Sequence, residues 1–195
     1  MNAETNVKTA EKRWRPTAAF YHPNGKGTGS ALKLELQPAV GQSEGCIMMR
    51  VANQLTVGNR QGPNPVFPRF DWENSIVVKL NFDDLCKILQ VLRGECESIE
   101  DGKGLYHRSS KAKTRICFHH VVEVVSGYSL EIYRTVFEGE QEQRVHFMLN
   151  PAESLGVCEA IAGSMSVICF GVPSTGEFAA EDRGERREEA RNAAA

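Results

Sequence analysis

The stretch WENSIVVKLNFDDLCKILQVL, residues 72–92, passes from a strand pattern into a helix pattern at Asn81. Asn is a favoured N-cap residue because its side chain accepts a hydrogen bond from a free backbone N–H of the first helical turn. After Asn81, apolar side chains recur at the helical spacing of three and four residues: Leu85, Ile88, Leu89 and Leu92. We therefore predict a strand over Trp72–Leu80 and a helix that begins after Asn81 and stops at Gly94.

The same step occurs a second time at residues 149–153, LNPAE. Pro151 takes the first helical position after Asn150, and Glu153 stands three residues after the cap, which is the capping-box arrangement. This second helix is predicted to end at residues 171–173, Gly-Val-Pro. Its predicted buried stripe consists of Leu155, Cys158, Ala162 and Met165.

Short stretches with a strand period precede each helix. In residues 30–37, Leu32, Leu34 and Leu36 alternate with Lys33 and Glu35. We therefore expect one face of this strand to be buried and the other to be exposed to solvent. The predicted strands are 17–22, 30–37, 46–51, a further stretch at 54–57, and 72–80, followed after the first helix by 104–107, 115–125, 129–137 and 144–149. This order predicts an α+β fold of two four-stranded antiparallel sheets, each strand set followed by a helix (ββββα-ββββα).

Length and composition place this fold in one domain. The chain has 195 residues, of which 41% are hydrophobic and 25% charged, enough for a single core over residues 17–173. Residues 1–16 are predicted to be a flexible arm and residues 174–195 a charged tail. We expect no membrane segment, because no apolar run approaches the roughly 20 residues that cross a bilayer.

The six cysteines are scattered without the close pairs of a zinc site or a disulfide framework. They predict reduced thiols in the cytoplasm or another reducing soluble compartment, and a nucleoid or an organelle also fits. We expect no metal and no cofactor. The Gly-rich residues 24–29, NGKGTG, run into a strand, whereas a phosphate-binding loop of the Walker type runs into a helix. An enzyme is therefore not predicted.

The net charge of −2 does not exclude a nucleic-acid partner. Between Glu177 and Ala195 there are six acids and four bases, so the remainder of the chain is neutral. Its bases are locally clustered, most densely between Lys103 and Arg115. Local clusters of this kind can follow phosphates, although a charge run is also typical of a solvated hairpin, and both interpretations stay open.

The order of several short motifs resembles the Whirly family of single-stranded-DNA-binding proteins. The matching segments are Gly25-Lys26-Gly27 with Ser30-Ala31-Leu32, Phe70-Asp71-Trp72, Leu80–Leu92, Leu105-Tyr106-His107 and Asn150–Gly171. The resemblance implies two four-stranded sheets with a helix after each, binding of single strands, and a homotetramer. The sequence departs from the family by the insertion Gly27-Thr28-Gly29 and by its charged tail. PUR repeat proteins and kinetoplastid mitochondrial RNA-binding proteins are similar in architecture, so RNA also stays open as the ligand.

Sequence-tolerant binding of single strands needs cations for the phosphates and flat side chains on which bases stack. The candidate residues are Phe20, Tyr21, Lys26, Lys33, Arg69 and Trp72 in the first half, and Lys103, Tyr106, His107, Arg108, Lys111 and Lys113 in the second. For Phe70 and Trp72, core packing is slightly favoured over base stacking, and both interpretations stay open. We predict non-catalytic binding of single-stranded nucleic acid, DNA rather than RNA, by a homo-oligomer. The alternative is an assembly subunit that recruits protein partners through its charged tail.

Overall fold

The computed structural model describes residues 16–59, 61, 63–122 and 126–172. The predicted charged tail, and all of the predicted N-terminal arm except Pro16, lie outside these described residues.

Two antiparallel sheets, each followed by a helix, make up the fold. The first set contains β1 (Thr17–His22), β2 (Ser30–Gln37), β3 (Cys46–Thr56), β4 (Arg69–Phe70), β5 (Ile76–Leu80) and α1 (Phe82–Leu92). The second contains β6 (Leu105–Arg108), β7 (Ala112–Val121), β8 (Gly127–Val136), β9 (Gln141–Leu149) and α2 (Pro151–Phe170). The predicted α+β order is confirmed, and the first sheet adds the two-residue β4 to its four longer strands.

Several predicted strand bounds differ from the structure. In the second sheet, β7 starts at Ala112 instead of residue 115, β8 at Gly127 instead of residue 129, and β9 at Gln141 instead of residue 144.

Two differences in the first set are larger. The stretch 54–57 is not a separate strand, because β3 continues without a break to Thr56. The strand predicted over Trp72–Leu80 starts only at Ile76. A turn precedes it, in which the Asp71 carboxylate accepts a hydrogen bond from the Asn74 backbone N–H at 3.1 Å and the Ser75 hydroxyl donates to the Trp72 carbonyl at 2.7 Å. Trp72 therefore lies in a turn.

Both predicted helix starts are confirmed, and the start at Asn81, like that at Asn150, is a capping box. The Asn81 side chain accepts from the Asp84 N–H at 2.9 Å, and the Asp84 carboxylate accepts from the Asn81 N–H at 3.0 Å. Asn150 and Glu153 exchange the same two bonds at 2.9 and 3.1 Å. Each box satisfies two backbone donors that the helix itself leaves unpaired.

The buried stripe of α2 was predicted wrongly at Leu155, which is exposed. The buried residues are Ser154, Val157, Ile161 and Ile168, while Cys158, Ala162 and Met165 pack at the margin of the core. Small and apolar residues occur on every side of this helix, so its sequence contains little directional signal.

By length and apolar composition α2 could also cross a bilayer, and it is the one helix of the described residues that could. No such segment was expected from the sequence. In the structure α2 contacts β8, β9 and α1, and Val157, Ile161 and Ile168 are buried in the core. One side of α2 therefore packs on the core, while only 28% of its apolar window is buried.

Each sheet has an apolar inner face, and one core joins both inner faces to α1 and α2. Besides β8 and β9, α2 approaches the first sheet, where Ala160 and Ile161 share a groove with Leu34 and Ile47. Side chains alternate along each strand, so every second residue points to the opposite, outer face. The outer face of each sheet therefore points away from the common core.

The two sheets meet where β9 passes the ends of β2 and β3. The Ser30 hydroxyl donates to the His146 carbonyl at 2.6 Å, and the Asn53 amide donates to the Arg144 carbonyl at 3.2 Å. On the inner side, the His22 ring stacks on Phe147 with 4.4 Å between centroids. These contacts hold the two sheets in one arrangement.

Candidate nucleic-acid interface

Three rings meet on the outer face of the first sheet, and we call them the aromatic cluster: Tyr21 of β1, Phe70 of β4 and Trp72 of the turn that follows. The Tyr21 centroid lies 5.5 Å from that of Phe70 and 6.3 Å from that of Trp72, and Phe70 and Trp72 are 6.5 Å apart. Ala31, opposite Tyr21, and Ala52, opposite Ala31, are both buried. Their small side chains leave room for rings to lie over the strands.

The cluster is partly open to solvent. Tyr21 is 48% exposed, while Phe70 and Trp72 are half-buried. The contacts between these rings hold them in place, and each ring keeps part of its surface exposed to a binding partner. The two interpretations that the sequence left open for Trp72, packing and stacking, are therefore compatible.

Cations stand beside these rings. The Lys33 ammonium lies 4.1 Å from the centroid of Trp72, a cation–π contact. Arg50 is the cross-strand neighbour of Lys33, and both line a shallow depression of about 310 Å³ on the same face. Arg69, next to Phe70 in β4, is exposed. Positive charge and aromatic surface are thus in contact on one sheet face.

Lys26 stands on a turn that is held by side-chain hydrogen bonds. The side-chain carbonyl oxygen of Asn24 accepts hydrogen bonds from the backbone N–H groups of Lys26 and Thr28, each at 3.0 Å. The Gln54 side chain accepts from the N–H groups of Asn24 and Gly29 at 2.9 and 3.1 Å. The turn is therefore fixed by its own residues, and the Lys26 side chain is exposed at its tip.

Phe20 must be removed from the set predicted to stack on bases. It lies on the inner face of β1 and packs against the core. Phe20 and Tyr21 are consecutive in a strand, so they point to opposite faces and cannot both serve one surface.

In the second sheet, Tyr106, Arg108 and Lys113 share the outer face. Tyr106 is opposite Arg115, and Arg108 is opposite Lys113. Lys103 and Lys111 are exposed in the turns that flank β6. The structure therefore brings three of the predicted residues onto one strand pair, with two more at its ends.

His107 is a second correction, because it lies on the inner side of β6. Its Nε2 is 3.2 Å from the carboxylate of Asp84 at the start of α1. The pair joins the second sheet to the first helix. In the segment Leu105-Tyr106-His107, the Tyr106 ring therefore points outward, while His107 has a structural role.

Asp84 gives the fold an acid-sensitive contact. Burial raises the pKa of its carboxyl, but hydrogen bonds from His107 and the Asn81 backbone, together with nearby positive charge, outweigh burial and the pKa lies below its ordinary value of 3.8. A carboxyl with a lowered folded-state pKa contributes stability above its unfolded pKa, and this stability is lost as pH falls through the folded pKa. Asp84→Asn should therefore lower the unfolding free energy at neutral pH by about 1 kcal/mol and flatten its decline in acid.

Urea unfolding of both proteins at neutral pH and at about pH 3 measures this difference. Asp83→Asn is the matched control, because Asp83 is in the same helical turn and pairs with Lys87 on the exposed side. An Asp84→Asn protein with the wild-type stability at neutral pH would contradict the assignment.

Two residues of the second sheet, Tyr133 and Arg144, were not predicted from the sequence. Together with Tyr106 and Arg115 they form one cross-strand row, in which each residue is the register partner of the next: Tyr106, Arg115, Tyr133, Arg144. The guanidinium carbons of Arg115 and Arg144 lie 5.0 and 5.2 Å from the Tyr133 centroid. The alternation in residues 130–133 was visible in the sequence, but only strand register reveals the row.

Comparisons with known proteins agree with this architecture. No protein-family model and no curated protein sequence matches the chain. Among solved structures, WHY1 from Arabidopsis thaliana, a Whirly protein, aligns with a TM-score of 0.62 at 14% identity and covers 90% of this chain and 93% of its own. The plant transcriptional regulator PBF-2 aligns with a TM-score of 0.61 at 16% identity over 80% of this chain and 83% of its own.

A guide-RNA-binding protein complex bound to a guide RNA is also similar, with a TM-score of 0.50, 14% identity, and coverage of 78% of this chain and 91% of its own. At these identities the likeness concerns the fold. The order of strands and helices, the two sheets and the coverage of nearly the whole described chain show that this protein has the Whirly fold.

Proposed function

We propose that the protein binds single-stranded nucleic acid without catalysing a reaction, and that DNA is preferred to RNA. The observation that carries the proposal is the aromatic cluster with the Lys33 ammonium over Trp72. Unpaired bases stack on such rings, at about 1–3 kcal/mol for each base, and neighbouring cations neutralise the phosphates. A duplex keeps its bases stacked inside, so it can use the cations but not the rings.

The comparisons support the same function. One similar structure is a guide-RNA-binding protein complex with its RNA, and another is a transcriptional regulator. The preference for DNA rests on the resemblance of the sequence motifs to the Whirly family of single-stranded-DNA-binding proteins.

Fluorescence polarisation with labelled single-stranded DNA, single-stranded RNA and duplex DNA, over a series of salt concentrations, tests the proposal. We expect single strands to bind more tightly than duplex, and DNA more tightly than RNA. The logarithm of the association constant should fall with the logarithm of salt by about 0.7 for each phosphate contacted. Equal affinity for duplex, or affinity that salt does not change, would contradict the proposal.

A homo-oligomer, with a tetramer favoured, is part of the proposal. Apolar side chains on α2, Leu155 and Phe170, are exposed in the single chain and support a protein contact on the helical side. Such a contact leaves both outer sheet faces accessible to nucleic acid. A reducing soluble compartment remains proposed for the chain, in agreement with its free cysteines.

A further inference from the structure

We propose that the apolar groove between the first sheet and α2 is the docking site of this chain's own Trp14. Trp14 lies outside the described residues and is the only aromatic residue in positions 1–15. We call the segment Arg13-Trp14-Arg15 the N-terminal strap. The proposal is independent of nucleic-acid binding, and it assigns an occupant to an apolar surface that the described residues leave exposed.

The groove is apolar and large enough for an indole ring. Its lining includes Leu34 and Leu36 of β2, Ile47 of β3, Ile161 of α2, and Pro16, where the described chain begins. Its volume is about 270 Å³. An apolar cavity of about 150 Å³ in a protein holds a benzene molecule, so this groove has room for the larger two-ring side chain of tryptophan.

Strand register directs Trp14 to this groove. β1 is antiparallel to β2, and the Leu36 N–H donates to the Pro16 carbonyl at 3.0 Å, one residue before β1 begins. Continued by two residues, the same register places Trp14 opposite Pro38 and on the face of Pro16, while the two flanking arginines point to the outer face. Because Trp14 is two residues from Pro16, its docking is intramolecular and occurs at a high effective concentration.

The end of β2 lies directly against α2 at this point. The Ala39 N–H donates to the Val167 carbonyl at 3.2 Å. A ring opposite Pro38 is therefore beside the turn of α2 that contains Ser164, which also lines the groove. Pro38 has no N–H, so backbone pairing gives the strap little support and burial of the indole supplies the stabilisation.

The exposed apolar side chains of α2 that support an oligomer contact are elsewhere on the helix. Ala160 and Ser164 line the groove and are one turn apart. An α-helix turns about 100° per residue, so Leu155 lies about 140° round the axis from Ala160, and Phe170 about 120° from Ser164. A second copy that contacts Leu155 and Phe170 therefore leaves the groove to the strap.

Tryptophan fluorescence without nucleic acid tests the proposal, so its outcome is separate from that of the proposed function. The chain has two tryptophans, and Trp72→Phe leaves Trp14 as the only one. In this variant we expect blue-shifted emission and acrylamide quenching several-fold weaker than after urea unfolding. Emission and quenching equal to those of the unfolded chain would overturn the proposal.

Ser164→Lys in the same Trp72→Phe protein places bulk and positive charge in the groove, beside the two arginines of the strap. It should shift the emission to the red and raise acrylamide quenching several-fold. Ser166→Lys is the matched control, because Ser166 is exposed on another side of α2 and the same change there should alter neither signal. Protection of Trp14 that Ser164→Lys does not reduce would mean docking elsewhere and would overturn the proposal.

Two further measurements separate the strap from a second copy as the occupant. Trp14→Ala should lower the urea midpoint of the full chain, whereas Val7→Ala, which removes an apolar side chain outside the strap, should not. An unchanged midpoint in Trp14→Ala contradicts docking. If Ser164→Lys changes only the oligomeric state in sedimentation and leaves the Trp14 signals as they are, the groove belongs to a second copy and the proposal is overturned.

Discussion

Trp72→Ala should weaken binding of single-stranded DNA by about 5- to 150-fold, the effect of losing one stacking platform worth about 1–3 kcal/mol. Trp72 contacts both other rings of the aromatic cluster and receives the Lys33 ammonium on its face. Its removal therefore takes away a ring, loosens its neighbours and frees the cation. Fluorescence polarisation at fixed salt measures the loss, and Trp72→Phe should restore most of it because a ring remains.

The control for this variant is Phe82→Ala. Phe82 is 47% exposed, close to the 48% of Tyr21, but it stands at the start of α1 on the helical side. Its truncation should leave affinity unchanged. A folded Trp72→Ala protein, verified by its thermal melt, that binds as tightly as wild type would show that the cluster is a packing feature only.

Phe147→Ala should lower the free energy of unfolding by about 3–5 kcal/mol. Phe147 is 1% exposed, belongs to the common core, and stacks against His22 across the junction of the sheets. Truncation leaves a cavity where the two sheets meet and removes the surface on which His22 rests. Urea unfolding should show a lower midpoint with little change in slope.

Phe170→Ala is the comparison for this variant, because Phe170 is 89% exposed at the end of α2 and should change stability by less than about 0.5 kcal/mol. Phe147→Leu should fall between the two, because Leu refills part of the cavity. A loss below about 1 kcal/mol in Phe147→Ala would mean that the sheets are held together by other contacts.

Local chemistry explains which features were predictable. The capping boxes at Asn81 and Asn150 join residues three positions apart, so they can be identified from short stretches of sequence. Alternation along β2 likewise predicted that Lys33 faces away from the core. Fold class followed from these two kinds of pattern, because together they give the order of strands and helices.

The candidate interface was predictable only in part. The sequence placed Tyr21, Lys33 and Trp72 near strand ends, but it could not show that their side chains converge. Phe20 and His107 were assigned to the surface because they stand beside true surface residues, whereas strand alternation turns both inward. Leu155 was misplaced because α2 has apolar and small residues on more than one side.

What the sequence determined by itself was the course of the chain: where strands alternate, where two helices begin, and that rings and cations are available in both halves. Tertiary structure alone decided which of them become neighbours. Tyr21 and Phe70 are 49 positions apart in the chain, and Tyr106 and Arg144 belong to opposite edges of one sheet. The physical reason is that strand register and sheet packing are set by burying many side chains at once, and no short stretch of sequence contains that information.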